Sequence, residues 1–137
     1  MLYNRPMIKI DQDGTIKHFN DAGELHRLDG PAIIKANGDY IWMLNNVPHR
    51  DSGGPAVKRK EARGIYKVYY RHGKVHRDDG PAVIKPNGIR VWYTDGKRNR
   101  LDGPAYTDSV INVRNYWIKG TRYPRKEFKE IVASLSE

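Results

Sequence analysis

Short apolar runs separated by turn-forming clusters succeed one another from residue 7 to residue 123, and their alternation has the period of strands. Pro81-Ala82-Val83-Ile84-Lys85 is a β-rich run, Pro86-Asn87-Gly88 a turn signal, and Ile89-Arg90-Val91-Trp92-Tyr93 a second run before Asp95-Gly96 turns the chain again. Asn-Gly and Asp-Gly tolerate the positive φ of tight hairpin turns, so the stretch reads as a β-hairpin. The same order recurs at Met7–Phe19, Pro31–Leu44, Pro55–Tyr70 and Pro104–Ile118, with a lengthened turn at Glu61–Gly64 and a poorly marked one through Ser109-Val110-Ile111. This predicts a mainly β, antiparallel meander of about five hairpin repeats over 7–123. At Pro124 the period changes. Phe128, Ile131, Val132 and Leu135 fall at i, i+3, i+4 and i+7, one apolar stripe of a helix over 124–135, and Pro124 suits its first turn. Covering the end of the array is the simplest role for that helix, and binding a partner is the sharper one. The chain is thus a single repeat domain spanning 1–137.

A motif marks each junction between hairpins. His76-Arg77-Asp78-Asp79-Gly80-Pro81-Ala82 has close copies at His26–Ala32 and Asn99–Ala105, and a copy with one extra residue at His49–Ala56. The prolines Pro31, Pro55, Pro81 and Pro104 are 24, 26 and 23 residues apart. An aromatic standing four positions before a Gly or Asn keeps the same phase at Phe19, Trp42, Tyr69, Trp92 and Tyr116.

His26 with Asp29, and His76 with Asp79, have the residue types of a general acid/base pair or of metal ligands. A catalytic constellation is assembled once, whereas these recur along the array, and recurrence favours structure. His26, Arg27, Asp29, His49, Arg50, His76, Arg77, Asp79, Arg100 and Asp102 are therefore read as a turn-locking set. The carboxylates accept turn N–H groups, and each Arg pairs with a carboxylate of the next unit. Single-site chemistry, if present, belongs in the irregular unit His49–Gly64. No phosphate-cradling loop, zinc-binding helix or serine elbow appears, and neither enzyme activity, nor cofactor, nor metal is expected.

Side chains alternate across a strand, so the second strands separate into two faces. Ile41/Met43, Val68/Tyr70, Val91/Tyr93 and Asn115/Trp117 form a mostly apolar side that should face a core. The opposite side carries Lys17/Phe19, Tyr40/Trp42, Lys67/Tyr69, Arg90/Trp92 and Arg114/Tyr116. Aromatics flanked by cations can bind nucleic acid through phosphate contacts and base stacking. In a repeat whose aromatic marks every unit, their stacking on one another beneath Lys and Arg stems is the favoured reading.

The pattern Trp92-Tyr93-Thr94-Asp95-Gly96-Lys97-Arg98-Asn99-Arg100-Leu101-Asp102-Gly103-Pro104-Ala105 resembles repeat proteins of large bacteriophages and giant DNA viruses, variants of the MORN hairpin repeat. The ending Gly120-Thr121-Arg122-Tyr123-Pro124-Arg125-Lys126-Glu127-Phe128 is similar to the endings of such arrays. The resemblance covers nearly all of 13–128 and implies an elongated or curved β-meander in a viral accessory protein. Such arrays generally act as binding scaffolds, and phage proteins of this size often inhibit a host or defence component. The resemblance brings no catalytic residues.

Composition narrows the partner. The 137 residues carry 25 Lys+Arg against 16 Asp+Glu, a net charge of +9 that favours nucleic acid, acidic protein surfaces or anionic small molecules. There is no cysteine, hence no disulfide or thiolate chemistry. No window approaches the run of about 18 apolar residues that a spanning helix requires. Met1-Leu2-Tyr3-Asn4-Arg5 runs directly into the first strand without a signal-like stretch, from which a membrane-free, intracellular setting in the host cytoplasm is expected. The expected function is that of a non-enzymatic viral protein that docks on a host or defence protein. Nucleic-acid binding through the same face is the alternative, and a sponge for an anionic nucleotide signal is a third.

Overall fold

The computed structural model describes residues 7–136; the lead-in at residues 1–5 lies outside them. Strands β1 (Met7–Ile10) and β2 (Ile16–Phe19) pair first. β3 (Ile33–Ile34) and β4 (Tyr40–Ile41) pair next, followed by a short hairpin of β5 (Met43–Leu44) and β6 (Val47–Pro48). The alternation repeats with β7 (Val57–Glu61) and β8 (Gly64–Val68), then β9 (Tyr70–Arg71) and β10 (Lys74–Val75). It repeats again with β11 (Val83–Ile84) and β12 (Ile89–Val91), then β13 (Tyr93–Thr94) and β14 (Lys97–Arg98). Finally β15 (Tyr106–Asp108) pairs with β16 (Val113–Ile118), whose second half pairs with β17 (Thr121–Tyr123). Helix α1 (Arg125–Leu135) ends the chain.

The longer hairpins join into one antiparallel sheet in the order β1-β2-β3-β4-β7-β8-β11-β12-β15-β16-β17. The meander expected from the turn signals is therefore present, but its second strands are interrupted. Trp42, Tyr69 and Trp92 lie between two strand segments, where the chain leaves the main sheet and enters a short hairpin. It returns through the His-Arg corner. The aromatic N–H then donates to the carbonyl of the alanine that re-enters the sheet: Trp42 to Ala56, Tyr69 to Ala82 and Trp92 to Ala105, at 2.7–2.8 Å. Ala32, Ala56, Ala82 and Ala105 are wholly buried, which explains why the smallest side chain able to hold a β conformation stands at each site.

The short hairpins turn on two residues of positive φ: Asn45-Asn46, His72-Gly73, Asp95-Gly96 and Lys119-Gly120. That is the geometry whose twist matches the flanking strands. Adjacent short hairpins are also tied together through their backbones. Arg27, Arg50, Arg77 and Arg100 N–H donate to the carbonyls of Met43, Tyr70, Tyr93 and Trp117 of the following unit.

The core lies along the apolar side predicted from the alternation. Val57, Val68, Val83, Val91 and Tyr106 are successive partners across five strands, and Tyr70, Val75 and Tyr93 of the short hairpins pack against them. Burial raises the pKa of the Tyr70 hydroxyl, with Tyr66 adding to the effect. At the C-terminal end Phe128 is buried against Tyr116, ring centroids 4.8 Å apart. Ile131 and Val132 are half-buried and Leu135 is 61% exposed, so the helical stripe is used over its first two turns only.

Candidate functional site

Each corner is closed by its own arginine. Arg77 lies 4.0 Å from the Tyr69 ring centroid, Arg100 4.0 Å from Trp92, and Arg50 4.2 Å from Trp42. The guanidinium then turns back on the corner: Arg77 donates through Nε to Asp79 and through Nη1 to the Pro81 carbonyl, and Arg100 does the same to Asp102 and Pro104. Arg27 bonds Asp29 and Pro31, while Arg50 bonds Pro55 and finds the Ser52 hydroxyl where the others have Asp. The expected pairing of each Arg with a carboxylate of the next unit is corrected: the Arg50, Arg77 and Arg100 side chains are held over their own aromatics and bond their own corner, with Arg50 also donating to the Tyr40 hydroxyl at 3.4 Å. The bond from Arg27 holds the Asp29 carboxyl below the usual carboxylate range, and the bond from Arg100 does the same for Asp102.

These contacts account for the glycine before each proline. Its φ is unremarkable, but a Cβ there would meet the guanidinium: 2.7 Å from Arg27 Cζ at Gly30, 2.5 Å from Arg50 Nη1 at Gly54, and 3.1 and 3.0 Å from Arg77 and Arg100 Cζ at Gly80 and Gly103.

The histidines do the joining between units. His26, His49 and His76 accept, at Nδ1, the backbone N–H of Asn45, His72 and Asp95, the first turn residue of the next short hairpin, at 2.8–3.0 Å. A nitrogen that accepts from an amide carries no proton, so Nε2 is the protonated one. It donates to Asp51 from His49 and to Asp78 from His76, both at 2.7 Å, and the latter bond lowers the Asp78 pKa. The partner is thus the residue two after the histidine, not the Asp29 or Asp79 positions paired with it in the sequence reading. Where Asn99 replaces histidine, its Oδ1 accepts the Lys119 N–H at 2.9 Å. His49 of the irregular unit is buried, and His72 of the following turn stacks on it, centroids 4.3 Å apart.

The register corrects the first unit. His18 N–H donates to the Ala32 carbonyl, as Trp42, Tyr69 and Trp92 do to their alanines, so His18 and not Phe19 occupies the aromatic column. Arg27 Nη1 accordingly lies 3.3 Å from His18 Nε2. The cause is a turn one residue longer: eight positions separate His18 from His26, but seven separate Trp42 from His49 and Tyr69 from His76. A one-residue slip exchanges the two faces of a strand. Lys17, which pairs with Ile33, and Phe19 therefore point to the core side, where Lys17 forms a 2.9 Å ion pair with Asp11.

The remaining candidates do share the outer face. Tyr40 pairs with Lys58, Lys58 with Lys67, Lys67 with Ile84, Ile84 with Arg90, Arg90 with Thr107 and Thr107 with Arg114, a single row across seven strands. Lys58 stands on a first strand, Val57-Lys58-Arg59-Lys60, where no neighbouring aromatic marks it in the sequence. Within the described residues no carboxylate pairs with Lys58, Lys67, Arg90 or Arg114, whereas Arg27, Arg59, Arg71, Arg77 and Arg100 all have acidic partners. Tyr116 ends the aromatic column beneath Phe128, in the position that an Arg takes in earlier units. The clefts between successive corners are of mixed charge, with Arg50, Arg71 and Arg77 facing Asp51, Asp78 and Asp79.

No helix among the described residues is long and apolar enough to cross a membrane. No family model, no curated protein and no solved structure matches the chain.

Proposed function

We propose that the chain is a non-enzymatic binding platform, an array of five MORN-like hairpin units carried by a virus or bacteriophage, whose outer sheet face docks on a host or defence protein in the cytoplasm. The viral setting and the repeat identity rest on the corner signature.

The binding reading rests chiefly on one observation, the direct cross-strand pairing of Lys58 with Lys67. Like charges facing each other destabilise a hairpin by up to about 1 kcal/mol. Within the described residues no carboxylate offsets it, the nearest compensation being the Tyr40 ring 5.9 Å from Lys58 Nζ. Departures from local consistency of this kind concentrate at functional surfaces. The recurring His, Arg and Asp groups, by contrast, are engaged in holding the corners, which supports a structural role for the motif and a binding role for the row.

A protein partner is favoured over nucleic acid because Trp42, Tyr69 and Trp92 each already carry a guanidinium on one ring face, which removes that face from base stacking. Affinity capture from host lysate, with and without nuclease treatment, tests this: one stoichiometric protein is expected in both, lost when Arg90 and Arg114 are both changed to Glu. Recovery of nucleic acid alone, with binding that falls steeply as salt rises, would favour the alternative.

A further inference from the structure

The slip in the first unit leaves the outer face with two halves of different chemistry. Because His18 holds the aromatic column, Ile16 and Ile10 fall on the outer side, in the same row as the basic residues: Ile10 pairs with Ile16, Ile16 with Ile34 and Ile34 with Tyr40. Ile8, opposite His18, projects on that side too. Ile8 is 57% exposed and Ile10 69%, and Leu28, 79% exposed, lines an open groove with Ile8. The row then continues into Lys58, Lys67, Arg90 and Arg114. From Ile10 to Arg114 it crosses ten strands, roughly 43 Å at the usual strand spacing.

We infer that this face takes one protein segment, apolar where it crosses β1 to β4 and acidic where it crosses β7 to β16. The inference rests on the protein-binding reading above and narrows it. Charge complementarity requires carboxylates over the unpaired cations, and an exposed isoleucine cluster at one end of the same row has no use for a uniformly charged polyanion. Nucleic acid would satisfy only the basic half.

Fluorescence anisotropy of the full chain with three labelled probes of matched length tests the inference: a peptide with a leucine block followed by a glutamate block, polyglutamate, and oligo(dT). The block peptide is expected to bind about tenfold more tightly than polyglutamate, a difference of about 1.4 kcal/mol. Ile10→Ser combined with Leu28→Ser should remove that advantage and leave polyglutamate binding unchanged. Arg90→Gln combined with Arg114→Gln should weaken both peptides. All four side chains are exposed, and an unchanged thermal midpoint verifies that each variant folds. Equal binding of the two peptides, an advantage that survives the apolar substitutions, or no binding of the block peptide would overturn the two-part face. If polyglutamate still binds, the protein-binding platform stands without it; binding of oligo(dT) alone would overturn both.

Discussion

Asn99 Oδ1 accepts the backbone N–H of Lys119 at 2.9 Å, the bond that His76 Nδ1 makes to Asp95 one unit earlier. Two different side chains thus present an acceptor at one point, and each restrains a turn residue of positive φ, 48° at both Lys119 and Asp95. A non-glycine residue in that region is uncommon and needs such support.

The latch predicts which substitutions the corner tolerates. His76→Asn should keep the Asp95 bond and give up only the one to exposed Asp78, which His76→Leu also loses. His76→Leu preserves bulk but leaves the part-buried Asp95 N–H without this acceptor, and should cost about 1 kcal/mol more than the Asn change. Urea denaturation of the two variants measures the difference, and equal midpoints would remove the latch.

The arginine and the glycine of a corner should be coupled. Gly54→Ala places a methyl group where the Arg50 guanidinium lies, displacing it from the Trp42 ring and the Pro55 carbonyl, at a cost of about 1 kcal/mol. In an Arg50→Ala background nothing is displaced. The same change should then be neutral or stabilising by a few tenths of a kcal/mol, because alanine narrows the unfolded ensemble. A double-mutant cycle reads the coupling directly, and strict additivity would refute the contact between Arg50 and Gly54.

The buried alanines should resist enlargement. Ala82 and Ala105 are wholly covered where the chain re-enters the sheet, and Ala82→Val or Ala105→Val should lower stability by about 1–3 kcal/mol through overpacking. Thermal unfolding of either variant checks this.

Stability should fall on mild acidification, through His18. Burial first, and the nearby Arg27 guanidinium second, hold its pKa below the ordinary 6.5. The unfolded chain therefore takes up the proton at a higher pH than the folded one. The contribution is complete above the unfolded value and is lost as pH falls through the lower folded value. Urea midpoints should begin to drop as pH falls toward the ordinary 6.5 and keep dropping until the lower folded value is passed, and the drop should shrink in His18→Gln. Asp78 acts in a more acidic window: its pKa lies below 3.8 because it accepts the His76 Nε2–H, so its share is present above 3.8 and lost as pH falls further.

The hairpins were legible because a turn of positive φ admits few residues, and Asn37-Gly38, Asp95-Gly96 and their counterparts announce it locally. The core side was legible wherever the strand phase was right: Val68 and Val91 are buried as the alternation requires. The interruption at Trp42, Tyr69 and Trp92 was not, since an alternating pattern continues unchanged through a bend. Nor was the direction of each arginine, because Arg77 has Asp79 and Asp78 within reach along the chain and only the packed ring of Tyr69 selects between them.

By itself, then, the sequence determined the order of hairpins, the corner at each junction and the terminal helix, all of which depend on residues close together in the chain. Tertiary structure alone decided the phase of the first unit. One additional turn residue between His18 and His26 is a small change in spacing, but backbone pairing with Ala32 converts it into an exchange of faces, turning Lys17 inward and Ile16 outward. It also decided that Lys58, Lys67, Arg90 and Arg114 form one row, because residues this distant in the chain become neighbours only through the register of the strands between them.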